Sequence, residues 1–198
     1  MPGPYDPADP EQRAVTKARA DTIMGNLDHA ALDHLTDRAR REPNPHAKVI
    51  WIRRSTLPLK DATRGYVACR DECSHCCSIP VMMTLTEAQV IAKETGRALT
   101  VPLQFTAEPN DDYTGTPCPF LAGTHCGIYQ SRPIACRLQY SVWHDAEPCR
   151  LDSIKQVPLL NPMIWNVALL MSLGAKLGQQ IADIRDFFPP ASPPPRVA

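Results

Sequence analysis

The chain has 198 residues, 43% of them hydrophobic, which suits one domain of ordinary size with a real core. Lysine plus arginine and aspartate plus glutamate number 21 each, so the net charge is zero and gives no electrostatic case for nucleic acid or an anionic membrane as partner. No stretch reaches about 18 uninterrupted apolar residues, so no membrane-spanning helix is expected. The start, Met-Pro-Gly-Pro-Tyr-Asp, lacks a basic section followed by an apolar one, so it is not read as an export signal and the expected compartment is the cytoplasm.

Residues 1–10 hold four prolines and are expected to be flexible. Residues 11–41 read as helix, because Val15, Ala18, Ile23, Leu27, Ala31 and Leu35 recur at spacings of three to five. Gly25 is a weak point that divides this segment in two, and Pro43 and Pro45 end it. The basic run Arg38-Ala39-Arg40-Arg41 suits a solvated helix end, where cations complement the dipole. Residues 47–67 are ambiguous. Val49 to Ile52 fits a strand or a helical turn, and Pro58 interrupts either one.

Ile79 to Met83 reads as a short strand. A helix is expected over 84–95, with Leu85, Ala88, Ile91 and Ala92 on one face and Gly96 as its stop. Thr84 with Glu87 fits a capping box at its start, and Thr86 with Gln89 is a rival. Residues 100–135 are loop-rich, punctuated by Pro102, Pro109, Pro117, Pro119 and Pro133 and by Gly115, Gly123 and Gly127. Such a stretch hardly orders itself by burial alone, and a metal that ties several loops together is a natural remedy. A last helix is expected from about 163 to 186. Asn161 would be its N-cap, Pro162 its first residue, and Ile164, Val167, Leu170, Met171, Leu177, Ile181 and Ile184 its apolar face. Gly174 and Gly178 lie one turn apart and permit close packing. The face is expected to lie against the core, with self-association as the alternative. Residues 189–198 hold five prolines and read as a disordered tail.

The fold class expected is α+β, mostly helical, with few short strands and helices flanking a loop-rich cysteine core. Its parts are an N-terminal helical region over 11–60, a cysteine-cluster metal-binding domain over 61–150, and a C-terminal helix within 151–188 packed on the same domain.

Eight cysteines carry the chemistry: Cys69, Cys73, Cys76, Cys77, Cys118, Cys126, Cys136 and Cys149. Without an export signal, disulfides are a poor explanation, since clustered thiols in a reducing compartment more often bind metal or do redox work. The adjacency of Cys76 and Cys77 points the same way. Any single cysteine suits burial as a small hydrophobe, but four between Cys69 and Cys77 do not. Soft thiolates select zinc or iron–sulfur iron over magnesium or calcium. A structural zinc wants four ligands and a four-iron cluster usually four cysteines, so eight thiols serve two centres, or one with thiols to spare. His75, His125 and His144 lie near cysteines in sequence and are read as surface or supporting residues rather than ligands. Arg132 and Arg137 flank the thiol-rich region, where they would offset its negative charge.

These residues resemble the YkgJ-type cysteine-cluster family, described as zinc- or iron-chelating. The resemblance rests on Cys69-Arg-Asp-Glu-Cys73-Ser-His-Cys76-Cys77, Leu85-Thr86-Glu87, Cys118-Pro119-Phe120-Leu121, Cys126-Gly127-Ile128-Tyr129, Arg132-Pro133 and Cys136-Arg137, in that order. It implies a metal centre held by the cysteines and no settled reaction. A related cysteine region occurs in flagellin lysine methylases, which look like iron–sulfur enzymes using S-adenosylmethionine.

The leading expectation is therefore a metal-binding protein with an iron–sulfur cluster, in electron transfer or in support of a modification enzyme, whose partner is another protein. The second is a zinc module that acts as an interaction scaffold. A third is a methyltransferase-like enzyme using S-adenosylmethionine. The spacing Cys69-x3-Cys73-x2-Cys76 also fits a radical S-adenosylmethionine enzyme, but the Pro-rich sequence downstream does not supply the strand–helix units of a partial barrel. A cysteine nucleophile would need a partnering base, and no pairing with a histidine is evident. No catalytic residue is assigned.

Overall fold

The computed structural model describes residues 4–70, 72–106, 108–109, 111–153, 157–160 and 180–189. The mostly helical α+β class holds. Four helices come first: α1 (Pro10–Gly25), α2 (His29–Arg41), α3 (Pro45–Ser55) and α4 (Leu57–Ala62). Asp9, Asp28 and Asn44 cap the first three by accepting from backbone N–H groups of their first turns. Gly25 closes α1, so the expected break falls where the sequence places it. Pro45 and Pro58 stand in the first turns of α3 and α4, where no N–H is missed. The ambiguous stretch around Val49 is therefore helix. Val49 and Ile52 are buried, and α3 packs along α2.

The N-terminal arm is tied down from Tyr5 onward rather than loose. Tyr5 N–H donates to Glu147 at 3.4 Å and its ring lies 5.0 Å from that of Trp143. Val15, expected on the buried face of α1, is 51% exposed; Ile23 and Leu27 carry that burial instead.

Two apolar clusters organise the molecule. The first joins α1–α4 to Ile134, Leu138, Tyr140, Val142 and Leu160. The second is built on β1 (Met82–Thr84), α5 (Leu85–Thr95), β4 (Ile181–Asp183) and α7 (Ile184–Phe187), with Phe120 and Phe188. Strands β1 and β4 pair antiparallel, Met83 opposite Ala182. Between them in sequence, β2 (Leu121–Ala122) and β3 (His125–Cys126) form a hairpin, and α6 (Ile134–Leu138) follows. Gly123 turns that hairpin at φ 62°. Gly127 leaves it under the carbonyl oxygen of Phe120, where a Cβ would stand 3.1 Å away.

The helix expected over 163–186 falls mostly outside the described residues, as does the tail beyond Pro189. Its last part is corrected: residues 181–183 are strand, and a short helix begins only at Ile184. Ile181 and Ile184 fit a helical face by spacing, but backbone pairing with β1 makes Ile181 strand, and Ile184 alone of the two is helical. Asp183 then caps α7 in a capping box with Asp186.

Candidate metal centre

All eight cysteines are free thiols and each is partly buried. Seven of them, Cys69, Cys73, Cys76, Cys77, Cys118, Cys126 and Cys136, line one cavity of about 340 Å³. Members of both apolar clusters line it too, Tyr140 from the first and Val81 and Ile184 from the second. Cys149 is not in its wall. It sits on the turn Glu147–Cys149 beside the hydroxyl of Ser141, within electrostatic reach of Cys69, Cys73 and Cys76. Among the described residues, no three His, Cys, Asp or Glu side chains stand together as a ready-made site for a single ion.

The cysteines reach the cavity by different local devices. Arg70 to Cys73 is a tight turn closed by the Cys73 N–H on the Arg70 carbonyl at 3.1 Å. Glu72 occupies its left-handed position at φ 73°, a conformation that side chains with a Cβ disfavour. This turn absorbs the third residue between Cys69 and Cys73. Cys76 and Cys77 lie in the 3₁₀ turn His75–Ser78. Cys118 is drawn against that turn, its N–H donating to the Cys77 carbonyl at 2.7 Å. Cys126 ends the β2–β3 hairpin and Cys136 rides on α6.

Backbone donors point at the sulfurs. The Ser141 N–H donates to Cys69 Sγ at 3.4 Å. Near the sulfurs of Cys73, Cys118 and Cys126, the backbone N–H of the residue two positions on, His75, Phe120 and Ile128 respectively, lowers the thiol. Such donors favour the thiolate over the thiol. Burial works the other way and dominates. It pushes Cys69 and Cys149 up to about 11, raises Cys73, Cys118 and Cys126, and raises Cys136 well above the ordinary thiol range. Cys76 is raised first by its hydrogen bond with Cys77 and then by burial. A crowded set of buried thiols that resists ionisation, yet carries preplaced N–H donors, fits a positive metal centre that would hold the sulfurs as thiolates.

Arg132 faces this set. Its charge lowers the thiols of Cys69, Cys76, Cys126 and Cys136. The guanidinium stacks on Tyr129 with its carbon 3.8 Å from the ring centroid, and its buried Nε has no hydrogen-bond partner. Lys60, Arg64 and Arg70 join it in the wall, against a single acid among the described residues, Glu72. Arg137 has a different part. Its guanidinium donates to the carbonyls of Arg132 at 3.0 Å and of Gln130, bracing the loop that carries Arg132. None of the three histidines lines the cavity. His144 pairs with Asp145 at 2.9 Å and lies against Trp143, while His75 and His125 are exposed.

Two residues that position the site carry no signal in the local sequence. Arg185, 3% exposed, donates to the carbonyls of Cys77 at 3.2 Å, Ile79 at 3.2 Å and Thr116 at 2.5 Å, and pairs with buried Asp183 at 3.0 Å. It thus holds the two cysteine loops together from the short helix α7. Glu87, 2% exposed, donates its N–H to Thr84 as a helix start requires. Its carboxylate, however, does not close the expected capping box. It accepts the N–H of Ile134 at 2.7 Å and so fixes the start of α6, the helix of Cys136.

Residues 68–157 match the family model CxxCxxCC, described as a "putative zinc- or iron-chelating domain". The resemblance read from the motifs is thereby upheld, and this segment is a domain of that family. The first gap here is one residue longer than the family's name writes it, and the left-handed turn at Glu72 falls in that gap. No curated protein and no solved structure matches the chain. Among the described residues, no helix is long and apolar enough to cross a membrane.

Proposed function

We infer that residues 68–157 serve metal binding, a reading that the family match supports. We propose that the metal is an iron–sulfur centre and that the protein serves electron transfer or supports a modification enzyme. The observation that supports this most is the shape of the thiol set, seven sulfurs spread around about 340 Å³. Four thiolates on one zinc sit about 3.8 Å apart, as tetrahedral Zn–S bonds of ~2.3 Å require. A cluster of several irons and sulfides fills more room and needs its cysteines farther apart.

The ligands in this proposal come from Cys69, Cys73, Cys76, Cys77, Cys118, Cys126, Cys136 and Cys149. The N–H groups of His75, Phe120, Ile128 and Ser141 stabilise their sulfurs as thiolates, and Arg132 offsets charge. When bound, such a centre supplies one-electron chemistry, with a potential tuned by hydrogen bonds to sulfur and by solvent exposure. The protein then needs a partner to give or take the electron.

The zinc scaffold is the second reading. In its favour, the described residues of the loop-rich stretch 97–133 hold just the two-residue strands β2 and β3 and one 3₁₀ turn, Asp111–Tyr113, and a structural ion stabilises such loops outright. Absorbance separates the two. Protein purified without oxygen is expected to be brown, with a broad band near roughly 400 nm that bleaches on reduction. A colourless protein with stoichiometric zinc would replace the first reading with the second.

A further inference from the structure

We infer that the eight cysteines form two metal centres rather than one. Cys69, Cys73 and Cys149 make one group and Cys118, Cys126 and Cys136 the other, and the Cys76–Cys77 pair gives one sulfur to each. This inference rests on the metal-binding reading and adds the count and the partition.

The division follows from how the thiols are mounted. Cys69 packs against the first apolar cluster, whereas Cys118 and Cys136 pack against the second. Cys69 accepts from the N–H of Ser141, and the Ser141 hydroxyl lies beside Cys149, so these two thiols share one corner. Cys149 lies within electrostatic reach of Cys69, Cys73 and Cys76, and Cys136 within electrostatic reach of Cys76, Cys118 and Cys126. Cys76 is the thiol common to both sets. The backbone donors divide in the same way, two supported sulfurs on each side: Cys69 and Cys73 against Cys118 and Cys126.

The adjacent pair is what makes two groups of four feasible. Cys76 and Cys77 are adjacent in the 3₁₀ turn with their thiols in contact, so the pair stands where the two groups meet and can give one sulfur to each. Cys77 also leans toward the second group through the Cys118 N–H on its carbonyl at 2.7 Å. Four thiolates complete either a zinc site or a four-iron cluster, and eight complete two of them.

Charge agrees. Each filled four-thiolate centre, zinc or oxidised four-iron cluster, carries about −2, and two carry about −4. Among the described residues, the cavity wall offers Lys60, Arg70 and Arg132, with Arg64 paired to Asp61 at 3.3 Å, against the acid Glu72.

The test is metal and sulfide analysis per chain on wild type, Cys149→Ser and Cys118→Ser, all purified without oxygen. Wild type is expected to hold about eight irons with equal sulfide, or about two zincs if zinc is the metal. Each variant is expected to keep about half, and the half that remains reports that the rest of the protein is folded. One centre per chain in wild type overturns the inference while leaving metal binding intact. So does full metal content in Cys149→Ser. A wild type with no metal at all overturns the metal-binding reading itself, and this inference with it.

Discussion

The guanidinium of Arg185 donates to the carbonyl oxygen of Cys77 at 3.2 Å, across 108 residues of sequence. The same side chain holds Thr116 and Ile79 and is neutralised by Asp183, both members of the pair being almost fully buried. A guanidinium suits this work because its fork of donors reaches several carbonyls from one rigid plane. The short helix α7 thus clamps the turn that carries Cys76 and Cys77 to the loop that carries Cys118.

Arg185→Ala is expected to destabilise the fold by about 3–5 kcal/mol, since it leaves Asp183 buried without its cation. Asp183 keeps its place at the start of α7 in this variant, where it accepts from the backbone N–H of residue 185, so the loss reports the guanidinium contacts alone. Arg185→Lys should recover only part of the loss, because one ammonium cannot replace a planar fork. Urea unfolding measures both, and metal content should fall in parallel with stability.

Glu87 makes a pH prediction. Its carboxyl is raised by burial, against the opposing influence of the Ile134 N–H and of Arg53 and Arg137. A raised carboxyl stabilises the folded state below its ordinary value near 4.5, and that contribution is lost as pH rises through the folded value. Glu87→Gln keeps an acceptor for Ile134 without a charge. It should therefore match or exceed wild-type stability at pH 7, and the advantage should shrink as pH falls through the raised folded value and level off by about 4.5. Glu87→Ala should cost about 1–3 kcal/mol at pH 7, since the N–H at the start of α6 is left unmet. Thermal melts from pH 4 to 8 separate the three proteins. A Gln variant that melts as low as the Ala variant would contradict this role.

These two residues also mark where local sequence stops informing. The helix starts at Asp9, Asp28, Asn44 and Thr84 follow from caps and prolines, which act within a few positions. The break at Gly25 and the stop at Gly96 are local in the same sense. The cysteines announce themselves by chemistry and spacing. Nothing within a few positions of Glu87 indicates Ile134, though, and the box with Thr84 looks complete in sequence. Likewise, Ile181 and Ile184 satisfy a helical period, and only pairing with Met82–Thr84 makes 181–183 a strand. Long-range hydrogen bonds decided both cases.

The turn at Glu72 predicts opposite effects for two substitutions. Glu72 pays a steric penalty at φ 73° that glycine does not. Glu72→Gly should raise stability by up to about 1 kcal/mol with metal content unchanged. Glu72→Val should lower stability by about as much and loosen Cys73, since β-branching disfavours this region most strongly. Melting temperatures for the pair, compared at equal metal loading, check the sign.

Cys73→Ser and Cys76→Ser are expected to lose metal and to lower the melting temperature, because the loops from Cys69 to Cys136 depend on the centre for order. Limited proteolysis should then cut between residues 97 and 133 first. Both variants keeping wild-type metal and melting temperature would count heavily against these thiols as ligands.

Native mass spectrometry of the protein purified without oxygen, read beside its acid-denatured mass, tests metal binding by these thiols most directly. The native mass is expected to exceed that of the bare polypeptide by inorganic atoms that acid releases. A native mass equal to the bare polypeptide, or lighter by the hydrogens lost in paired cystines, would contradict it.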